Sequence, residues 1–162
     1  VDLSCAMLEQ ARVKCVRSTI LLQGDCIETP LNDRSADRVL ASFLLSYLSD
    51  LASFAREAAR ILRPGGVIHV SDLHPNTASY GWRRTFRAAG TVFEIETHRY
   101  TLDLLIETMS SFGLRLEQAA EWPFGPPEGA IFERAGKLHI YRQVESMPVV
   151  YWARFTRAGD RR

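Results

Sequence analysis

Apolar positions along the chain switch between a helical and a strand period, and the switches mark out its elements. Met7, Leu8 and Ala11 lie on one helical face after Ser4, a residue type that caps helix N-termini, so a helix is expected from Ser4. Thr19-Ile-Leu-Leu-Gln-Gly-Asp25 is a continuous β-rich run closed by a turn pair, the pattern of a strand buried on both faces. Pro30, Asn32 and Asp33 make residues 26–34 a loop. Ala36 to Ser42 is the next strand, and Phe43 to Tyr47 an apolar connection. Between Asp50 and Leu62 a helical stripe carries Leu51, Phe54, Ala55, Ala58 and Leu62, and Pro64-Gly65-Gly66 stops it. Val67 to Ser71 resumes β-character.

Residues 72–99 are less regular and read as a loop-rich insertion with a short helix around Trp82 to Ala88. Thr101 caps a further helix with Leu102, Leu105, Ile106, Met109 and Phe112 facing inward, and Gly113 ends it. Leu114 to Trp122 is a strand and Pro123 to Gly136 a Pro- and Gly-rich excursion. Its aromatics, with Trp122, form a lid, a subunit contact or ordinary packing. Val149 to Thr156 is the last strand, and Ala158 to Arg162 a frayed tail. Strand, helix and strand joined by short connections predict an α/β fold with a parallel sheet, as a single domain over residues 1–157.

Composition narrows the function classes. The 162 residues are 46% hydrophobic, enough for a core that needs neither disulfide nor metal. The longest apolar run, Val149 to Ala153, is far short of the roughly 18 residues that span a bilayer. A net charge of +1 argues against nucleic-acid and acidic-membrane partners, and Arg83-Arg84 and Arg161-Arg162 read as solvated faces. Cysteines at 5, 15 and 26 form no CxxC pair, so a reducing, cytoplasmic location without a metal site is expected, and no leader supports secretion. Val1-Asp2-Leu3-Ser4 reads like the end of a strand entering a helix.

Four segments in order carry a resemblance. They are Asp2-Leu-Ser-Cys-Ala-Met-Leu-Glu-Gln-Ala-Arg12, Gln23-Gly-Asp25, Ser35-Ala-Asp-Arg-Val39 and Glu57-Ala-Ala-Arg-Ile-Leu-Arg-Pro-Gly-Gly66. Over residues 1–72 the chain resembles the class I S-adenosylmethionine-dependent methyltransferases. The resemblance implies a Rossmann-like, mostly parallel sheet with helices on both faces, seven strands when complete and the last one antiparallel. It implies methyl transfer from S-adenosylmethionine to a small-molecule acceptor. Asp2 stands where that family binds both ribose hydroxyls, which suits an acceptor-only carboxylate, with Leu3 beside it. Asp25 stands near the adenine amino group, and the Cys26 N–H near a ring nitrogen. Ser42 and Phe43 stand where cofactor and acceptor meet, at the carboxyl edge of the sheet.

Each assignment has a plainer alternative: Asp2 as a helix-capping residue, Gly24-Asp25 as a turn, Phe43 as core. Cys26 has no basic neighbour in sequence and reads as an inert thiol. Arg63-Pro-Gly-Gly66 reads as structural punctuation. His74 and His98, on the Asp72-Leu-His-Pro75 and Thr97-His-Arg-Tyr100 loops, are candidate bases for an acceptor that must lose a proton, or else a turn residue and a surface residue.

The family's glycine-rich loop after its first strand has no match here, so the chain reads as a domain lacking that strand and loop, with weak or absent methyl transfer. Two rivals remain open. One is a non-catalytic Rossmann-like interaction domain; the other is an NAD(P)-dependent oxidoreductase, which requires an upstream GxGxxG.

Overall fold

The computed structural model describes residues 1–159. The end of the expected tail, with Arg161 and Arg162, lies outside them. Ala158 is tied back, its N–H donating to the Gly113 carbonyl at 3.0 Å.

A four-stranded sheet organises the chain. Its strands are β1 (Ala36–Ser42), β2 (Leu62–Leu73), β5 (Leu114–Trp122) and β6 (Val150–Arg157), in the order β1-β2-β6-β5. β1 and β2 are parallel, while β6 is antiparallel to both β2 and β5, so β1, β2 and β5 run the same way and only the last strand opposes them. Strand alternation sends Ile68, Val70, Tyr151, Ala153 and Phe155 to one face. There they pack with Leu51, Phe54, Ala55 and Ala58 of α2 (Leu51–Ile61) and Leu105 and Met109 of α3 (Leu102–Ser111). Both helices are capped: Thr101, as expected, accepts from the Leu104 N–H, and Asp50, at the start of the predicted stripe, accepts from the Ser53 N–H. On the opposite face Trp152 touches His69 and Trp122, and Leu40 is 77% exposed.

Helix α1 (Cys5–Lys14) starts as expected, with Ser4 accepting from the Met7 N–H. The expected strand over 19–25 is reduced to two isolated bridges, a parallel one between Asp2 and Gln23 and an antiparallel one between Asp25 and Glu28. A strand persists only with ladder partners, and across the chain Asp2 provides just two backbone bonds, one from its N–H to the Leu22 carbonyl and one to its carbonyl from the Gly24 N–H.

Arg63-Pro-Gly-Gly66 is not a free turn but the irregular start of β2. The pairing jumps from Ala36 with Leu62 to Arg38 with Val67, and Gly65 takes up the kink at φ 77°. A Cβ on Gly66 would stand 2.9 Å from the Arg63 carbonyl and 3.2 Å from that of Asp37. Gly66→Ala is therefore expected to cost about 1–3 kcal/mol in a urea melt, since backbone on both sides must give way. An unchanged midpoint contradicts the close approach.

Two further expectations are corrected. Instead of a helix over Trp82 to Ala88, a hairpin forms from β3 (Arg84–Ala88) and β4 (Thr91–Ile95). Ala89 and Gly90 both adopt positive φ, the two-residue turn that matches strand twist, and Phe86 stacks on Phe93. The excursion after Trp122 also folds into helices, α4 (Pro126–Arg134) and α5 (Leu138–Val144). Pro126 suits a first helical turn, where its missing N–H removes no bond. Gly129 lets Tyr141 approach, since a Cβ there would lie 3.1 Å from the ring. Among the described residues no helix is long and apolar enough to cross a membrane, and no acidic, His or Cys group gathers as a metal site.

Candidate cofactor and acceptor site

The bridge at Asp2 and Gln23 builds one bank of a groove. Asp2 Oδ1 accepts the Ser4 N–H at 2.8 Å, and Ser4 in turn caps α1. Asp2 thus supports the cap rather than forming it, and its exposed Oδ2 takes no hydrogen bond among the described residues. Leu3 is exposed, and its carbonyl accepts from Gln23 Nε2. Asp25 Oδ1 holds the following turn through the Ile27 N–H at 3.1 Å. Burial, then the neighbouring Asp25 charge, push the Cys26 thiol up to about 11, with a smaller contribution from Asp2. A thiol held neutral in this way is no nucleophile. The two carboxylates and Cys26 are brought together as expected.

This bank is anchored to α2 by ionic and hydrogen bonds. Glu57 Oε1 accepts from the Thr29 N–H at 2.7 Å and hydroxyl at 2.5 Å, while Arg60 binds Glu57 through Nε at 2.8 Å and Nη2 at 2.7 Å. Arg60 also donates to the Leu31 carbonyl and to Asp33. Glu57 is 6% exposed, and its carboxyl is lowered to about 2, first by the Arg60 hydrogen bond and then by the Thr29 donors against burial.

The opposite bank is β1 and its exit. Ser42 Oγ lies 3.1 Å from Ser71 Oγ, and the Phe43 N–H donates to the Ser71 carbonyl. Phe43 takes a left-handed φ of 53° and leaves its ring 43% exposed, so it belongs to the edge rather than the core. Between the banks is a groove of 240 Å³ lined by Val1, Cys26, Val39, Ala41 and Leu44.

The histidines lie apart from each other. His74 Nδ1 accepts the Asn76 N–H and Nε2 pairs with Glu121 Oε1, both at 3.1 Å. Both ring nitrogens are therefore engaged, which corrects the expectation of an available base at His74. The turn alternative fits it: His74 caps the 3₁₀ turn Pro75–Ala78. His98 is held by its backbone N–H on the Ser46 carbonyl, and its imidazole stacks on Tyr100 without a hydrogen bond among the described residues.

Two groups at this edge escaped the sequence reading, Tyr47 and Asp72, and a third corrects it: Arg84, expected on a solvated face, has its side chain 22% exposed and packed near Asp72. Asp72 is 1% exposed at the end of β2, where it accepts from the Ser46 and Leu73 N–H groups. An acid on the inward alternation of Ile68 and Val70 was the available signal. Nothing local marks Arg84. The aromatics resolve as packing between segments: Trp82 of the insertion stacks on Phe124 at 5.7 Å and meets Phe132 of α4 at 6.0 Å.

Comparison with known proteins agrees with this arrangement. A methyltransferase-domain family model matches residues 1–70. A malonyl-[acyl-carrier protein] O-methyltransferase from Dechloromonas aromatica is 37% identical over 102 residues, covering 63% of this chain and 34% of that protein. A demethylmenaquinone methyltransferase from Tropheryma whipplei is 38% identical over 80 residues, covering 46% of this chain and 32% of that protein. The chain spans about a third of the length of these relatives. A crystallised S-adenosylmethionine-dependent methyltransferase from Mesorhizobium loti superposes with a TM-score of 0.68 at 20% identity, covering 96% of this chain and 77% of that one. The chain is thus similar to methyltransferases over residues 1–70 and shares the Rossmann-like fold of the S-adenosylmethionine-dependent methyltransferases.

Proposed function

We propose that this chain forms the larger part of a domain that binds S-adenosylmethionine beside Asp2, Asp25 and Cys26 and transfers its methyl group to a small-molecule acceptor at the carboxyl edge of β1 and β2. The observation that carries the reading is the open Oδ2 of Asp2 close to Asp25 and Cys26, with Cys26 lining one side of a groove whose other side is β1. An acceptor-only carboxylate fits two vicinal hydroxyls, and the turn at Asp25-Cys26 offers an acceptor and an N–H to an adenine edge. The cofactor, when bound, supplies the electrophilic methyl on its sulfonium. The chain's residues orient the two reactants and exclude water. His98, with its ring nitrogens unengaged, is the proton acceptor for a substrate that must lose one; loss of the acid limb of the pH–rate profile in His98→Ala tests this.

The groove-facing edge of β1 has no strand partner among the described residues. We infer that this edge takes a parallel strand with a glycine-rich turn from a segment outside these residues. The three unpaired thiols favour the cytoplasm, and the balanced charge disfavours nucleic acid and acidic membranes. Because glycine loop and first strand are not in this chain, a non-catalytic interaction domain is the second reading. Calorimetric titration of S-adenosylmethionine into the protein extended by its upstream residues decides between them. Binding is expected; no binding, with no glycine-rich turn upstream, leaves the interaction domain.

A further inference from the structure

Arg84 opens β3 with its side chain 22% exposed and turned toward the ends of β1 and β2. Its Nη1 donates to the Tyr47 hydroxyl, and its guanidinium carbon stands 4.5 Å above the Tyr47 ring. Its Nη2 lies 3.7 Å from Asp72 Oδ1, an ion pair without a hydrogen bond. Asp72 has its carboxylate held by backbone instead, Oδ2 by the Ser46 N–H at 2.8 Å and Oδ1 by the Leu73 N–H at 2.7 Å. A guanidinium has five N–H donors, and among the described residues Arg84 commits only Nη1. The charge is therefore balanced in place while the donor fork stays open.

Its placement is also rigid. Arg99 donates to the Thr77 hydroxyl at 2.8 Å and to the Trp82 carbonyl at 3.0 Å, which fixes the chain two residues before Arg84. Arg83 pairs with Glu94 across the hairpin at 2.8 Å. At the same edge Phe43 and Tyr47 are 43% and 46% exposed, and Tyr47 stands directly at the fork.

We propose that Arg84 is a specificity-determining residue that receives a carboxylate on the methyl acceptor, the acceptor's ring or chain lying against Phe43 and Tyr47. Two parallel N–H···O bonds match a carboxylate to a guanidinium, a fit that an ammonium lacks. The assignment of this anion to the acceptor rests on the methyltransferase reading; the anion site itself does not.

The test uses the 162-residue chain with 4-hydroxybenzoate and its methyl ester as probes, followed by the Arg Nε–Hε and Trp Nε1–Hε1 resonances in NMR titrations. The acid is expected to shift the Arg84 signal and to bind about tenfold more tightly than the ester. Arg84→Met should abolish that preference, and Arg84→Lys should keep part of it. Equal binding of acid and ester, no binding of either, or an acid preference unchanged in Arg84→Met overturns the proposal. If Arg84→Met lowers the melting temperature sharply, Arg84→Gln serves as the second variant, read by the same acid-to-ester ratio. Binding of S-adenosylmethionine is measured separately. Its failure beside an intact carboxylate preference sinks the methyltransferase reading and leaves the anion site standing.

Discussion

Asp2→Ala, in the protein extended by its upstream residues, is expected to weaken S-adenosylmethionine binding about a hundredfold. The carboxylate's open Oδ2 and the remaining lone pair of Oδ1 are assigned to two ribose hydroxyls. Hydrogen bonds to a charged group contribute about 1.5–3 kcal/mol each, and about 2.7 kcal/mol corresponds to two decades of affinity. Asp2→Asn should lie between, because an amide keeps one acceptor oxygen. Stability should change little, since Ser4 caps α1 directly and Asp2 is exposed. Calorimetry measures the effect, and an affinity unchanged in Asp2→Ala removes the ribose assignment.

Glu57→Ala should lower the unfolding free energy by about 3 kcal/mol at neutral pH. Its removal leaves the Arg60 guanidinium and the Thr29 N–H and hydroxyl without their acceptor at a site where Glu57 is 6% exposed. The effect has a defined pH dependence. The folded-state carboxyl is depressed from 4.5 to about 2, so its contribution is fully present above pH 4.5 and is lost as pH falls through 2. Urea melts at pH 7 and pH 3 should show the difference between wild type and Glu57→Ala shrinking with acid. Curves that stay parallel between those pH values contradict the depressed carboxyl. Loosening here also frees the loop after Cys26, so the bank that carries Asp25 loses its anchorage to α2.

Local physics explains which elements were legible. The caps at Ser4 and Thr101 act within three residues, so both were readable and both hold their expected helices. The strands at 36–42 and 114–122 were also plain, since their composition and bounding turns are local. The hairpin at 84–95 was missed because its deciding feature is backbone conformation: Ala89 adopts φ 47°, which an alanine does not announce. The helix α4 was hidden by Pro126 and Gly129, residues that break most helices but serve here as a first-turn proline and a contact with Tyr141.

The site divides in the same way. Asp2, Asp25, Cys26, Ser42 and Phe43 were proposed from motif order. By itself, then, the sequence determined the α/β class, the resemblance to methyltransferases and the helix caps, because these depend on spacing and side-chain chemistry within short stretches. Only the tertiary structure decided that both nitrogens of His74 are engaged and that residues 19–25 make isolated bridges in place of a strand. It also decided that Glu57 and Arg60 hold the loop after Cys26 and that Arg84 stands over Tyr47 beside a buried Asp72. The deciding contacts, Asp2 with Gln23, Thr29 with Glu57, Tyr47 with Arg84 and His74 with Glu121, join residues 21 to 47 positions apart. Such contacts depend on how strands and helices pack together, which no local pattern encodes.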